Sequence, residues 1–214
     1  MKYIHCLLFL WIHAQVFSQQ KFSKEISLLT DNDLFVSFEK DRYYTSGLFF
    51  SYRYLTENKK EKEEKRIIEW QLGHEMFSPY KAIVPNISQH DRPFAAYLYG
   101  SYGIHRFYKN DRIFNTSLQV GVLGPAAFGK EVQDFIHDMY DFDMAVGWKH
   151  QIKNSFGFNL NVSYLKHLLR DTSNYMDISW LNEGKIGTIY TDISSGFYSR
   201  IGFKPLQKIV NSIA

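Results

Sequence analysis

The sequence predicts an all-β fold, an antiparallel transmembrane β-barrel of the outer-membrane type with a short helix in one loop, and three observations predict it. Aromatic residues make up 17% of the 214, with 15 Tyr and 18 Phe against 5 Pro, a composition of strands and aromatic girdles. Phe156, Phe158, Leu160, Val162 and Tyr164 alternate with Gly157, Asn159, Asn161 and Ser163. That rhythm offers one apolar face to lipid and one polar face to an interior. Beyond the first residues no stretch approaches the about 18 consecutive apolar residues of a spanning helix, a condition that leaves barrels untouched.

Charge and cysteine usage remove other classes. The net charge of +3 comes from 25 basic and 22 acidic residues, too balanced a mixture for a nucleic-acid partner. Met1-Lys2 followed by the mostly apolar run Ile4 to Phe17, ending before Gln19-Gln20, reads as a signal peptide over residues 1–18. Residues 19–214 are then one barrel domain. The single cysteine, Cys6, lies inside the signal segment, so disulfides and cysteine catalysis are excluded from the mature chain.

Taken in order, the first strand runs from about Lys24 to Thr30 and stops at Asp31-Asn32-Asp33, residues that favour turns. A second follows Tyr43-Tyr44-Thr45, with Leu48, Phe50, Tyr52 and Tyr54 on one face. The run Glu57 to Arg66 has no apolar residue and reads as a solvated turn. The third strand covers about Ile67 to His74, and a polar loop with Pro79 and Pro85 leads to a fourth over about Phe94 to Arg106. Lys109-Asn110-Asp111 turns the chain into a fifth, with Phe114, Thr116, Leu118, Val120 and Val122 on one face.

Gly124-Pro125 then breaks the strand, and Val132, Phe135, Ile136 and Met139 trace an apolar stripe at helical spacing over roughly 129–140. Gln133 and His137 are four apart and so share a helix face beside that stripe. A sixth strand is expected over Trp148 to Ile152, a seventh over Phe156 to Tyr164, and an eighth over Tyr175 to Leu181. That eighth turns at Asn182-Glu183-Gly184 into a ninth ending near Phe203. With the mature N-terminus in the periplasm, the connections after odd-numbered strands face outward. Asn32, Asp33, Thr45, Arg92, Gln133 and His137 then gather at one outer rim.

The ordered set Asp31-Asn32-Asp33, Asp41-Arg42-Tyr43-Tyr44-Thr45-Ser46-Gly47, Asp91-Arg92-Pro93-Phe94-Ala95, Gly124-Pro125-Ala126 with Gln133 and His137, then Gly147-Trp148 and Gln151 resembles the outer-membrane lipid A 3′-O-deacylase family. The resemblance runs from about residue 25 onward and rests on the pieces occurring together and in order. It implies a twelve-stranded barrel in a Gram-negative outer membrane, with its site on the extracellular side between the wall and a loop helix. It implies a calcium-dependent esterase that removes the 3′-linked acyloxyacyl group of lipid A, with lipopolysaccharide and outer-membrane lipid as partners.

Carried onto this chain, the resemblance makes His137 the catalytic histidine and Gln133 its partner one turn earlier. It makes Asn32 and Asp33 the Ca²⁺ pair, Thr45 a catalytic hydroxyl and Arg92 the catalytic and substrate-binding residue before the proline, with Asp91 beside it on the substrate-binding side. The chemistry is coherent. A His near neutral pKa serves as base toward water, and a cation held by hard oxygens stabilises the oxyanion. Arg92 supplies charge for a phosphate or the oxyanion.

The chain departs from the family pattern at Asp91, where a basic residue is usual, at Ala96 in place of glycine, and at Asn154-Ser155 in place of an Asn-Glu pair. About nine strands of twelve are expected, so the domain reads as C-terminally incomplete. Three readings stay open: an active deacylase, a truncated and inactive remnant of that family, and a non-enzymatic outer-membrane barrel.

Overall fold

A computed structural model of the chain describes residues 23–32, 43–56, 61–80, 86–141 and 145–212. Its eight strands are β1 (Lys24–Asn32), β2 (Tyr43–Thr56), β3 (Glu63–Ser78), β4 (Ala95–Tyr108), β5 (Arg112–Leu123), β6 (Ser155–Arg170), β7 (Met176–Gly187) and β8 (Asp192–Ile201). They form one sheet in sequence order, every neighbouring pair antiparallel, with β1 and β8 as its two edges. Helix α1 (Gly129–Tyr140) lies between β5 and β6, and a single turn, α2 (Ile209–Ser212), follows β8. No helix of the described residues is long and apolar enough to cross a membrane.

The register sorts the side chains onto two chemically distinct faces. Ser27 lies opposite Ser51, Ser51 opposite Gln71, Gln71 opposite Ser101, Ser101 opposite Gln119 and Gln119 opposite Asn159. A belt of polar side chains therefore crosses six strands on the inner face, because directly opposed residues share a face. It is internally bonded: Gln71 Nε2 donates to Ser51 Oγ at 3.1 Å, and Arg53 pairs with Glu25 at 2.7 Å. The other face is apolar and open, with Ile26, Leu28, Leu48, Phe50, Trp70, Leu72, Leu118, Val120, Phe156, Phe158, Trp180 and Ile186 all exposed. Polar inside and apolar outside inverts the usual arrangement of a water-soluble sheet.

Four sequence expectations change. Asp31 and Asn32 complete β1, since both pair into the ladder opposite Gly47 and Ser46; Asp33 lies outside the described residues. Glu63 to Arg66 belong to β3, where Glu63 is buried and takes Arg66 Nη2 at 2.6 Å. Only Lys65 shares the inner face, opposite Phe107; Glu63 and Arg66 lie opposite Tyr108 and Arg106 on the other face and bond to each other at the strand's start. Val146–His150 is a 3₁₀ turn instead of a strand, drawn in by the burial of Trp148. Asn182 to Gly184 sit mid-strand in β7, bonded to β6 and β8 on either side, and the turn falls at 188–191. The described residues thus hold eight strands where the sequence suggested about nine.

Apolar packing gathers at two places. One cluster, Met76, Phe94, Ala96, Ala127, Ala145 and Trp148, joins the outer face at the upper ends of β3 to β5 to the α1 segment. The other, Ile67, Phe107, Ile113, Leu165, Ile209 and Val210, lies on the inner face at the opposite end, capped by α2. Between them the 188–191 connection folds inward. Asn159 Oδ1 accepts from the Ile189 and Tyr190 amides, and the Tyr190 hydroxyl donates to Glu75 at 2.5 Å.

Candidate functional site

The α1 segment begins where β5 ends. Gly124 takes φ +86°, a region that favours glycine, and its amide donates to Ala96 O at 3.1 Å. Ala126 N donates to Asn154 Oδ1 at 2.8 Å, and Ile152 N to Phe94 O at 3.0 Å. Both ends of the excursion are thereby tied to the top of the sheet. The 3₁₀ turn Pro125–Ala127 follows, and the buried His74 meets Ala127 O through Nε2 at 2.8 Å. Gly129 allows the close approach: a Cβ there would lie 2.5 Å from both Ala96 Cβ and Trp148 Cη2.

Once docked, α1 is held by Gln133. Its Oε1 accepts from the Trp148 indole N–H at 2.5 Å, with both side chains buried. Gln133, a candidate site residue, and Trp148, expected at the start of a strand, form one buried anchor. His137 follows one turn later, half-buried, and its carbonyl accepts the Asp141 amide that caps the helix.

On the sheet, the same outer face carries the remaining candidates. Asn32 lies opposite Ser46. A bulge between Tyr44 and Ser46 turns Thr45 toward Ser78, and their hydroxyls meet at 2.7 Å. Thr45 is 4% exposed and Ser78 1%, so the pair is shielded by the protein. Arg92 places its guanidinium 3.9 Å over the Tyr43 ring, two residues from Thr45, and stands 3.7 Å from Asp91 Oδ2. Asp91 Oδ1 accepts from the Tyr80 amide at 2.8 Å. That bond foremost, with the Arg92 charge adding to it, holds the Asp91 carboxyl below its ordinary range. Arg92 therefore faces the rim with an anion beside it.

The structure thus brings Asn32, Thr45, Arg92 and α1 to one end of the sheet, with Thr45 anchored to Ser78 and Gln133 to Trp148. Asp33 lies outside the described residues. Among the described residues no group of three or more His, Cys, Asp or Glu is placed to hold a metal ion. The outer-face oxygens of Asn32, Thr45, Ser46 and Ser78 are hard, neutral donors of the type calcium accepts, but calcium takes about 6–8 oxygens with carboxylates among them. They fit its chemistry only together with an acid such as Asp33.

Sequence reasoning missed Ser78 and His74. Leu72, His74 and Met76 alternate onto the outer face, so a polar residue within an apolar series was a readable signal for His74. Ser78, next to Pro79, carried none.

Fold and rim define a class: an antiparallel β protein, apolar outside and polar inside, with a helix docked against its outer wall. The chain matches the family model described as "LpxR: Outer membrane protein LpxR" over residues 3–211, and it belongs to that family. A solved structure of LpxR from Salmonella typhimurium superposes with a TM-score of 0.61 at 22% identity, covering 73% of this chain and 52% of that one. The likeness is one of fold, and the chain spans about half the length of that relative. No curated protein matches.

Proposed function

We propose that the rim is the active site of an outer-membrane ester hydrolase acting on the 3′-linked acyl group of lipid A. One observation carries the reading: a helix bearing Gln133 and His137 is anchored on the outer wall at the end of the sheet where Thr45, Ser78 and Arg92 gather. His137 is the base that takes a proton from water, a role suited to an imidazole at neutral pH. Gln133 fixes the helix through Trp148, and Thr45 with Ser78 offers a shielded hydroxyl pair to position water or the ester. Arg92 attracts a phosphate of the substrate, and the adjacent Asp91 weakens that attraction. Asn32 and Asp33 are the residues that would hold Ca²⁺, which would supply positive charge where an ester oxygen turns anionic.

A second reading is favoured by a specific observation. β1 and β8 are unpaired with one another, and each unsatisfied backbone group in hydrocarbon costs several kcal/mol. A sheet that stays open retains the rim residues without activity, as an inactive member of the family. Purified protein incubated with lipid A and Ca²⁺ separates the two. Loss of one acyloxyacyl mass from lipid A, absent with a chelator, supports the esterase; unchanged lipid A supports the inactive member.

A further inference from the structure

We propose that α1 is an interfacial helix, with Phe128, Phe135 and Met139 set among the acyl chains of the outer leaflet while Lys130 and His137 stand at headgroup level. The inference rests on the lipid-facing reading of the outer face that the proposed function also uses. Phe128, Phe135 and Met139 are 56%, 66% and 59% exposed, although Val132 and Ile136 beside them pack on the rim cluster.

Spacing explains the difference. At about 100° per residue, the offset of four places residues 135 and 139 on one flank, and Phe128 is the left-handed residue that caps the helix. Val132 and Ile136 come next, toward the sheet, and Gln133 and His137 lie beyond them. Lys130 is on the far flank, paired with Asp134. The helix therefore meets the wall along its middle, with an apolar flank on one side and a polar flank on the other. This is the layout of a helix lying in a membrane surface.

The exposed flank also adjoins the open apolar face of the sheet, because the cluster beneath α1 includes Leu98 and Val122 of that face. A protein partner would cover one patch. Here apolar side chains are exposed on strands all across the sheet, and only a lipid phase meets them all. The consequence for the chemistry is depth: His137 sits where acyl chains join the polar headgroup, the level of an ester linkage.

The test uses the full chain with Cys6→Ser and single cysteines at Phe135, Lys130 or Phe50, each carrying an environment-sensitive fluorophore. The protein is reconstituted in phosphatidylethanolamine and phosphatidylglycerol vesicles that contain a lipid with a nitroxide on its acyl chain. The expected result is a blue-shifted label at 135, quenched as strongly as the label at 50, with severalfold weaker quenching at 130. Quenching at 50 without quenching at 135 overturns the inference and leaves the sheet reading intact. Equal quenching at 130 and 135 overturns the two-flank arrangement. Absence of quenching at both 50 and 135 overturns the inference together with the membrane reading.

Discussion

Two helical segments close two apolar clusters in this protein, at opposite ends and on opposite faces of one sheet, and their polar groups are used differently. At the far end, α2 buries Ile209 and Val210 against Ile67, Phe107, Ile113 and Leu165. Next to it Asp177, 0% exposed, is enclosed by Arg170 and Arg200, and both arginines also donate to Gln207 O. There one carboxylate is shared by two guanidinium groups of the same chain. At the rim, α1 buries Ala127 and Trp148 in the same manner, with a single amide-to-indole bond. It leaves an imidazole, a hydroxyl pair and a half-exposed guanidinium gathered at that end of the sheet. The difference is exposure: the rim keeps a half-exposed cation in Arg92, whereas Arg170 and Arg200 are largely enclosed with Asp177.

The comparison can be broken by substitution at either end. The largest expected effect is His137→Ala, which lowers the rate of lipid A ester hydrolysis by about 10²–10⁴-fold, the usual contribution of a general base. Circular dichroism and heat-modifiable gel mobility should be unchanged. Trp148→Ala acts through structure. Loss of a buried aromatic costs about 3–5 kcal/mol, read as a lower urea midpoint, and activity falls with it because Gln133 of α1 loses the bond that the Trp148 indole donates.

Asp177→Ala leaves two partly buried arginines without their carboxylate, a change that costs about 3 kcal/mol. The rate per folded molecule should stay that of the parent, which is the sharpest contrast between the ends. Ser78→Ala removes the partner of Thr45 and is expected to lower kcat roughly tenfold, about 1.4 kcal/mol, with KM little changed and Ser78→Thr recovering part of the loss. Arg92→Gln is the smallest. An exposed cation contributes up to about 1 kcal/mol, so KM for phosphorylated lipid A rises roughly fivefold, and removal of the substrate phosphates erases the difference.

How much of this was legible in the sequence depends on the range of the interaction. Local periodicity was enough for α1, where Gly124-Pro125 stops a strand and the 132, 135, 136, 139 stripe starts a helix, and for the alternation that became β6. It failed where the environment decides. Glu63 to Arg66 read as a solvated turn because nothing local announces that β4 pairs with this run and that Glu63 and Arg66 bond to each other within it. Trp148 to Ile152 read as a strand because its apolar residues give no hint that Trp148 is taken up by Gln133, fifteen residues earlier. Asn182-Glu183-Gly184 has the composition of a turn, yet neighbours on both sides hold it straight. For the site, the ordered motifs led to α1 and to Thr45, whereas Ser78 depends on a pairing 33 residues apart.

The most direct measurement is acyl release from lipid A, followed by mass spectrometry, for the parent protein and for His137→Ala and Asp177→Ala at matched amounts of folded protein. The account predicts Ca²⁺-dependent release by the parent and by Asp177→Ala, and none above background by His137→Ala. Release by His137→Ala equal to the parent, or no release by the parent itself, contradicts the assignment of the rim as a hydrolytic site.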